Sequence, residues 1–205
     1  MPINITLPDG SALRLETGAT GATAARSIGR RLAEAAVAVR VDGELRDLSA
    51  PLFDGATVEI VTGDTPAGRS ILRHSAAHIM AQAVLGLFPG ARYAIGPAIE
   101  DGFYYDFEVG RAFTPEDLEA ISARMAEIVA ADQPFEREPL SKDAALALFS
   151  DQPFKREIIE SVEESEVGSG AQVSIYRNGD FVDLCRGPHL PSTGKLAAFK
   201  LLRTA

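Results

Sequence analysis

The chain has 205 residues, 46% hydrophobic and 24% charged, which is room for one large or two small domains with an ordinary core and excludes a disordered polymer. Its 20 Lys and Arg against 29 Asp and Glu leave a net charge of -9, which excludes coating nucleic acid by bulk positive charge and confines any RNA contact to local basic residues. A single cysteine excludes an intramolecular disulfide framework, and no early apolar run follows a basic segment as a signal peptide or membrane span requires, so a soluble cytoplasmic protein is expected.

In chain order, Ile3-Asn4-Ile5-Thr6-Leu7 alternates, Pro8-Asp9-Gly10 turns, and Ala12-Leu13-Arg14-Leu15 runs back as a hairpin. Thr20 to Thr23 offer capping hydroxyls for a helix over residues 24–36, with Ile28 and Leu32 inward. Residues 37–41, the turn Asp42-Gly43 and residues 44–48 read as strand, turn and short strand, and Thr57-Val58-Glu59-Ile60-Val61 closes with an alternating strand. That order, ββαβ(β)β, predicts a small mixed sheet packed on one helix in a domain spanning residues 1–63.

Gly63-Asp64-Thr65-Pro66-Ala67-Gly68 is a cluster of breakers, so residues 64–69 are expected to be a linker and a second domain to occupy 70–205. Ser70 is placed to cap a long helix that Pro89-Gly90 stops. Strand-like segments follow at 93–95 and 103–109. Thr114-Pro115-Glu116-Asp117 is a strong helix start, and Leu118, Ile121, Met125, Ile128 and Val129 form the stripe that this helix buries. Ser141 caps a shorter helix through Phe149. Residues 158–166 are acidic and lead into Gly168-Ser169-Gly170, and residues 172–177 and 180–184 flank Asn178-Gly179 as a hairpin. In its second strand, Val182 and Leu184 are expected to face the core and Asp183 and Cys185 the other way.

Only three histidines and one cysteine are available for imidazole and thiol chemistry. His74 and His78 are four apart in a helical pattern and share a face. Cys185 and His189 are also four apart, but Gly187-Pro188 puts them on a loop. Taken singly, these are ordinary helix histidines and a small buried thiol; taken as HxxxH with CxxxH, they are the residue types that bind zinc or move protons. Three nitrogens and a thiolate would satisfy tetrahedral zinc, yet four protein ligands close a site that catalysis usually keeps open, and the spacing does not choose between metal and metal-free acid–base chemistry.

The strings Arg73-His74-Ser75-Ala76-Ala77-His78, Ala94-Ile95-Gly96-Pro97, Asp101-Gly102-Phe103-Tyr104-Tyr105-Asp106 and Asp183-Leu184-Cys185-Arg186-Gly187-Pro188-His189 resemble the amino-terminal half of the bacterial threonyl-tRNA synthetase family. The resemblance implies an α+β chain: a TGS domain, which is a ubiquitin-like β-grasp, followed by an α+β editing domain with a sheet packed on helices. HxxxH with CxxxH is shared with the alanyl relatives, while the Asp-x-Cys-Arg-Gly-Pro-His string and the TGS domain point to the threonyl branch. It also implies a longer enzyme, in which the synthetic catalytic domain, the anticodon-binding domain and the homodimer interface would lie beyond Leu201-Leu202-Arg203-Thr204-Ala205.

The implied activity is that of an aminoacyl-tRNA deacylase, hydrolysing mischarged seryl-tRNA(Thr) and sparing threonyl-tRNA(Thr). Serine lacks one methyl of threonine, and a synthetic site discriminates against it by only about 1–3 kcal/mol, so a second, tighter site that admits the smaller ester completes a double sieve. By resemblance His74 positions or activates water, with His78, Cys185 and His189 around it. Lys155 stabilises charge or holds the terminal adenosine, Asp183 holds the substrate ammonium or hydroxyl, and Tyr105 lines the site. Read without the resemblance, Lys155 is a solvated charge, Asp183 a surface acid, and Tyr105 a core residue alternating with Phe103 and Phe107. The threonyl branch implies a metal-free site with no cofactor, whereas the alanyl relatives carry zinc at the same four positions. The expected partner is the tRNA(Thr) acceptor end carrying serine, gripped by local cations such as Arg26, Arg30, Arg31, Arg69, Arg73, Lys195, Lys200 and Arg203, with no membrane. A non-catalytic tRNA-docking module and a zinc-dependent deacylase are the alternatives.

Overall fold

In the computed structural model, which describes residues 1–161 and 172–204, the alternating start of the chain forms β1 (Ile3–Thr6), burying Ile3 and Ile5 and exposing Asn4 and Thr6. Strand β2 (Ala12–Leu15) returns antiparallel, in register from Ile3↔Leu15 to Thr6↔Ala12. Helix α1 (Gly21–Ile28) starts where Thr20 accepts a hydrogen bond from the Thr23 amide. The single predicted helix is in fact two, because Gly29 ends α1 and α2 (Arg30–Ala35) restarts. Ile28, expected inward, is exposed: it is the last residue of α1, and the small Ala24 and Ala25 carry the buried face. Gly21 lets α1 lie directly on the next strand, since a Cβ there would come 2.7 Å from Val39 Cβ.

That strand is β3 (Ala36–Val41), joined to β4 (Glu44–Asp47) through Asp42-Gly43, both at positive φ as a two-residue hairpin requires. Strand β5 (Val58–Thr62) pairs antiparallel with the other edge of β3. A parallel bridge between Thr6 and Thr57, with Thr6 N–H donating to the Ala56 carbonyl at 2.9 Å, sets β1 beside the residues entering β5. The order β2-β1-β5-β3-β4 on one side of a helix is a β-grasp. Its core includes Ile5, Leu15, Val39, Val41, Leu48 and Val58.

Helix α3 (Pro66–Leu87) begins earlier than Ser70. Thr65 Oγ1 accepts from the Gly68 amide and Pro66 fills the first helical position, where a missing N–H costs nothing, so the glycine- and proline-rich cluster starts the helix. The chain divides into two units, Met1–Leu72 with Gly187–Pro191, and Arg73–Arg186 with Ser192–Ala205.

In the second unit β6 (Arg92–Tyr93), β7 (Ala98–Ile99), β8 (Gly102–Phe103) and β9 (Phe107–Glu108) make two short antiparallel ladders, β6 with β9 and β7 with β8. Helix α4 (Pro115–Ala130) has the predicted start, a reciprocal capping box between Thr114 and Asp117, and buries Ile121, Met125 and Ile128. Two further elements were not expected. Strand β10 (Glu136–Ser141) reads as a charged segment because it is an exposed edge. Following α5 (Lys142–Leu148), α6 (Pro153–Ser161) takes up the start of the acidic stretch, whose remainder and Gly168-Ser169-Gly170 lie outside the described residues. Strands β11 (Gln172–Asn178) and β12 (Phe181–Leu184) complete the antiparallel order β10-β11-β12. Asn178 pairs with Phe181, so the hairpin turn is Gly179-Asp180, one residue later than predicted.

Candidate functional site

Three elements of the second unit bring five of the expected side chains together, and the segment between β8 and β9 adds Tyr105 as the sixth. Helix α3 supplies His74 and His78, whose rings meet edge to face with centroids 5.0 Å apart. Helix α6 supplies Lys155, and β12 with its continuation supplies Asp183 and Cys185. Cys185 is held in the ladder beyond the strand end, its amide donating to the Ser174 carbonyl at 3.0 Å and its carbonyl accepting from Ser174 Oγ at 2.6 Å. Its sulfur lies 3.3 Å from His74 Nε2, and both residues are half-buried.

Asp183 is the hub of the cluster. Its Oδ1 meets Lys155 Nζ at 2.5 Å, while its Oδ2 accepts from the Tyr105 hydroxyl at 2.6 Å and lies 3.3 Å from His78 Nε2. Lys155 Nζ also donates to the Tyr105 oxygen at 3.0 Å and stands 4.9 Å and 5.5 Å from the ring centres of Tyr93 and Tyr105. The ammonium is thus enclosed by a carboxylate and two aromatic faces, the two kinds of partner that compensate a cation removed from water. Burial pushes the Asp183 carboxyl above the usual carboxylate range, with Lys155 and Tyr105 pulling against it. Burial, reinforced by the charge of Asp183, raises the phenols of Tyr105 and Tyr93, so both stay protonated and donate: Tyr105 to Asp183, Tyr93 to the Val182 carbonyl at 2.7 Å.

Two expectations, one from strand alternation and one from the usual exposure of lysine, are corrected. Phe181 and Asp183 are the buried side of β12, while Val182 and Leu184 are only partly buried, because both faces of this strand are covered. Lys155 is buried on α6 instead of solvated.

His189 is placed in the first unit, in Gly187–Pro191. It is buried, and its amide donates to Asp47 Oδ1 at 3.0 Å. The ligand atoms of His74, His78 and Cys185 lie within 4.8 Å of one another, close enough to share an ion. The 3.3 Å separation of Cys185 sulfur and His74 nitrogen is near the roughly 3.5 Å that two ligands of a tetrahedral zinc would show, so the donors fit a metal as well as they fit a hydrogen bond. Among the basic residues expected to touch RNA, Arg26, Arg30, Arg31, Arg69, Lys200 and Arg203 are exposed; Arg30 pairs with Glu34, and Arg73 donates to the Ile99 carbonyl.

Residues 3–62 match the TGS domain, and residues 173–205 match the threonyl and alanyl tRNA synthetase second additional domain. Over 203 residues, 99% of the chain, it is 54% identical to the threonine–tRNA ligase of Pelobacter propionicus; over 202 residues, 98% of the chain, it is 54% identical to that of Acidithiobacillus ferrooxidans. The corresponding enzyme of Rhodospirillum rubrum is 50% identical over 206 residues. The chain matches the amino-terminal region of bacterial threonyl-tRNA synthetases. It spans 31% of the length of each of these relatives. Asp183, Cys185 and His189 fall inside the second additional domain match, whereas His74, His78, Tyr105 and Lys155 fall between the two matched segments. No helix among the described residues is long and apolar enough to cross a membrane.

Sequence reasoning passed over Tyr93 and Ser174, which read as ordinary strand residues, and Asp47, which read as a strand end. Nothing local distinguishes them; their roles come from partners 62, 11 and 142 positions away, Lys155, Cys185 and His189. In the sequence Gly96 stands out only as part of the string Ala94-Ile95-Gly96-Pro97.

Proposed function

We propose that this chain carries the editing activity of a threonyl-tRNA synthetase, hydrolysing the ester of seryl-tRNA(Thr) and sparing threonyl-tRNA(Thr). The observation that carries this reading is the single cluster of His74, His78, Cys185, Asp183, Lys155 and Tyr105 in a chain whose relatives are threonine–tRNA ligases. The domain limits 1–63, 64–69 and 70–205 are part of the same proposal.

Ester hydrolysis needs a positioned water, compensation for charge on the carbonyl oxygen, and a proton for the departing ribose oxygen. His74, half-buried beside Cys185, is the group to orient and deprotonate water and then to pass that proton to the departing ribose oxygen. Cys185 is its hydrogen-bonding partner and not the nucleophile. Both oxygens of Asp183 already face Lys155, Tyr105 and His78, so Asp183 first sets those three groups and accepts from the seryl ammonium by trading one of them. Lys155 supplies positive charge that Asp183 balances until negative charge develops on the substrate carbonyl oxygen. Local cations on the exposed surface engage the tRNA, whose binding weakens as salt is added.

The donor set also favours a second reading. His74, His78 and Cys185 would hold zinc, which when bound would supply Lewis-acid polarisation of the ester carbonyl. A deacylation assay on seryl-, threonyl- and alanyl-tRNA, with and without chelator, separates the readings. Loss of the seryl ester alone, unaffected by chelator, supports the metal-free editing site; activity abolished by chelator supports zinc. Equal survival of all three esters refutes the hydrolytic reading and leaves a docking module.

A further inference from the structure

Gly96 lies where no side chain fits. A Cβ built on it would come 2.1 Å from Tyr105 Cδ2, 2.6 Å from Cε2 and 2.8 Å from Cγ, all closer than any real contact and all on the body of the ring. The backbone does not demand glycine here, since Gly96 is absent from the residues at positive φ. The lack of a side chain serves the tyrosine.

Neither partner is free to yield. Ala94 N–H donates to the Asp106 carbonyl and Asp106 N–H to the Ile95 carbonyl, each at 3.0 Å, so the backbone before Gly96 is fastened to the residue after Tyr105. Pro97 stiffens the other side. The Tyr105 ring stacks on Phe107 at 4.9 Å and 20°, and its hydroxyl is held by Asp183 and Lys155. Any displacement of the ring base is carried to the hydroxyl, the atom that ties the carboxylate to the ammonium.

We propose that Gly96 is a positioning residue of this site: its bare Cα sets the Tyr105 ring, and through the phenol the Asp183–Lys155 pair that orients substrate. The inference deepens the editing reading and rests on it for its catalytic consequence, but the placement of Tyr105 is measured without any substrate.

The test compares the native chain, Gly96→Ala, Tyr105→Phe and the double variant. In the native chain the Tyr105 hydroxyl proton should exchange slowly with solvent by NMR, and Gly96→Ala should abolish that protection while amide protection in β11 is kept. On seryl-tRNA(Thr), Gly96→Ala should lower kcat/KM about 10–100-fold, the ratio expected for losing one hydrogen bond to a charged group, with the same split between kcat and KM as Tyr105→Phe. The double variant should be no worse than the more severe single one. Retained protection of the Tyr105 hydroxyl in Gly96→Ala, or additive losses in the double variant, would overturn the proposal. Stability adds a readout independent of how well Gly96→Ala folds: the destabilisation by Gly96→Ala should vanish in a Tyr105→Ala background, where the ring is gone, and its persistence there would equally overturn it. A native chain that protects the hydroxyl but hydrolyses no ester would refute the editing reading and leave the positioning of Tyr105 by Gly96 standing.

Discussion

Lys155 Nζ lies 2.5 Å from Asp183 Oδ1, and the two side chains are 3% and 2% exposed. Removing one member of such a pair strands the other charge in a region without water. Lys155→Met should therefore lower unfolding free energy by about 3–5 kcal/mol, measured by urea denaturation. Lys155→Met/Asp183→Asn, which removes both charges and keeps an acceptor for Tyr105, should recover most of the loss. Equal instability of the single and double variants would mean that packing, not charge, dominates.

His74 and Cys185 divide the chemistry between them. His74→Ala should slow hydrolysis of the seryl ester about 10²–10⁴-fold, the usual range for removing a general base. Cys185→Ser keeps a hydrogen-bonding partner for His74 Nε2 and should cost less. Single-turnover rates on both variants decide the matter, because a nucleophilic cysteine would reverse their order.

Asp117 joins the Arg111 guanidinium and the Thr114 amide at the start of α4, contacts that hold its carboxyl well below the usual carboxylate range. A depressed folded pKa gives stability that is fully present above the unfolded value of about 3.9 and is lost as pH falls through the folded value. Asp117→Asn should lower the melting temperature at neutral pH, and the difference from the native chain should shrink steadily as the solution is acidified below pH 4. A pH-independent difference would assign the effect to the cap hydrogen bonds alone.

Gly68 and Gly86 lie on the same helix and should respond oppositely to alanine. A Cβ at Gly68 would come 2.0 Å from the Thr62 carbonyl oxygen, whereas at Gly86 the nearest atom is Arg124 Nε at 4.0 Å. Gly68→Ala should destabilise by about 1–3 kcal/mol through overpacking. Gly86→Ala should stabilise by about 0.4–1 kcal/mol by restricting the unfolded chain. Thermal melts of the two variants check both signs.

Local rules accounted for much of the fold. Alternation located β1, β2 and β5, the Thr114 and Ser141 hydroxyls located the starts of α4 and α5, and HxxxH placed two histidines on one face of α3. Those features depend on residues within a turn or two of each other, where spacing and capping chemistry act directly. The break at Gly29 and the start of α3 at Pro66 escape local rules because a glycine or proline has two local meanings, stop and start; near the start of α3 the close approach of Gly68 to the Thr62 carbonyl adds a tertiary constraint that spacing does not show.

By itself, the sequence determined which groups were available for chemistry, three histidines and one cysteine in two spaced pairs, together with the resemblance that names their expected task. Tertiary structure alone decided that Lys155, which looks like a solvated cation, is the buried counter-ion of Asp183, that Tyr105 donates to that carboxylate, and that Gly96 leaves room for its ring. The reason is desolvation and distance. A charge changes meaning when folding takes it out of water beside an opposite charge 28 positions away, and no periodicity or local propensity carries that information.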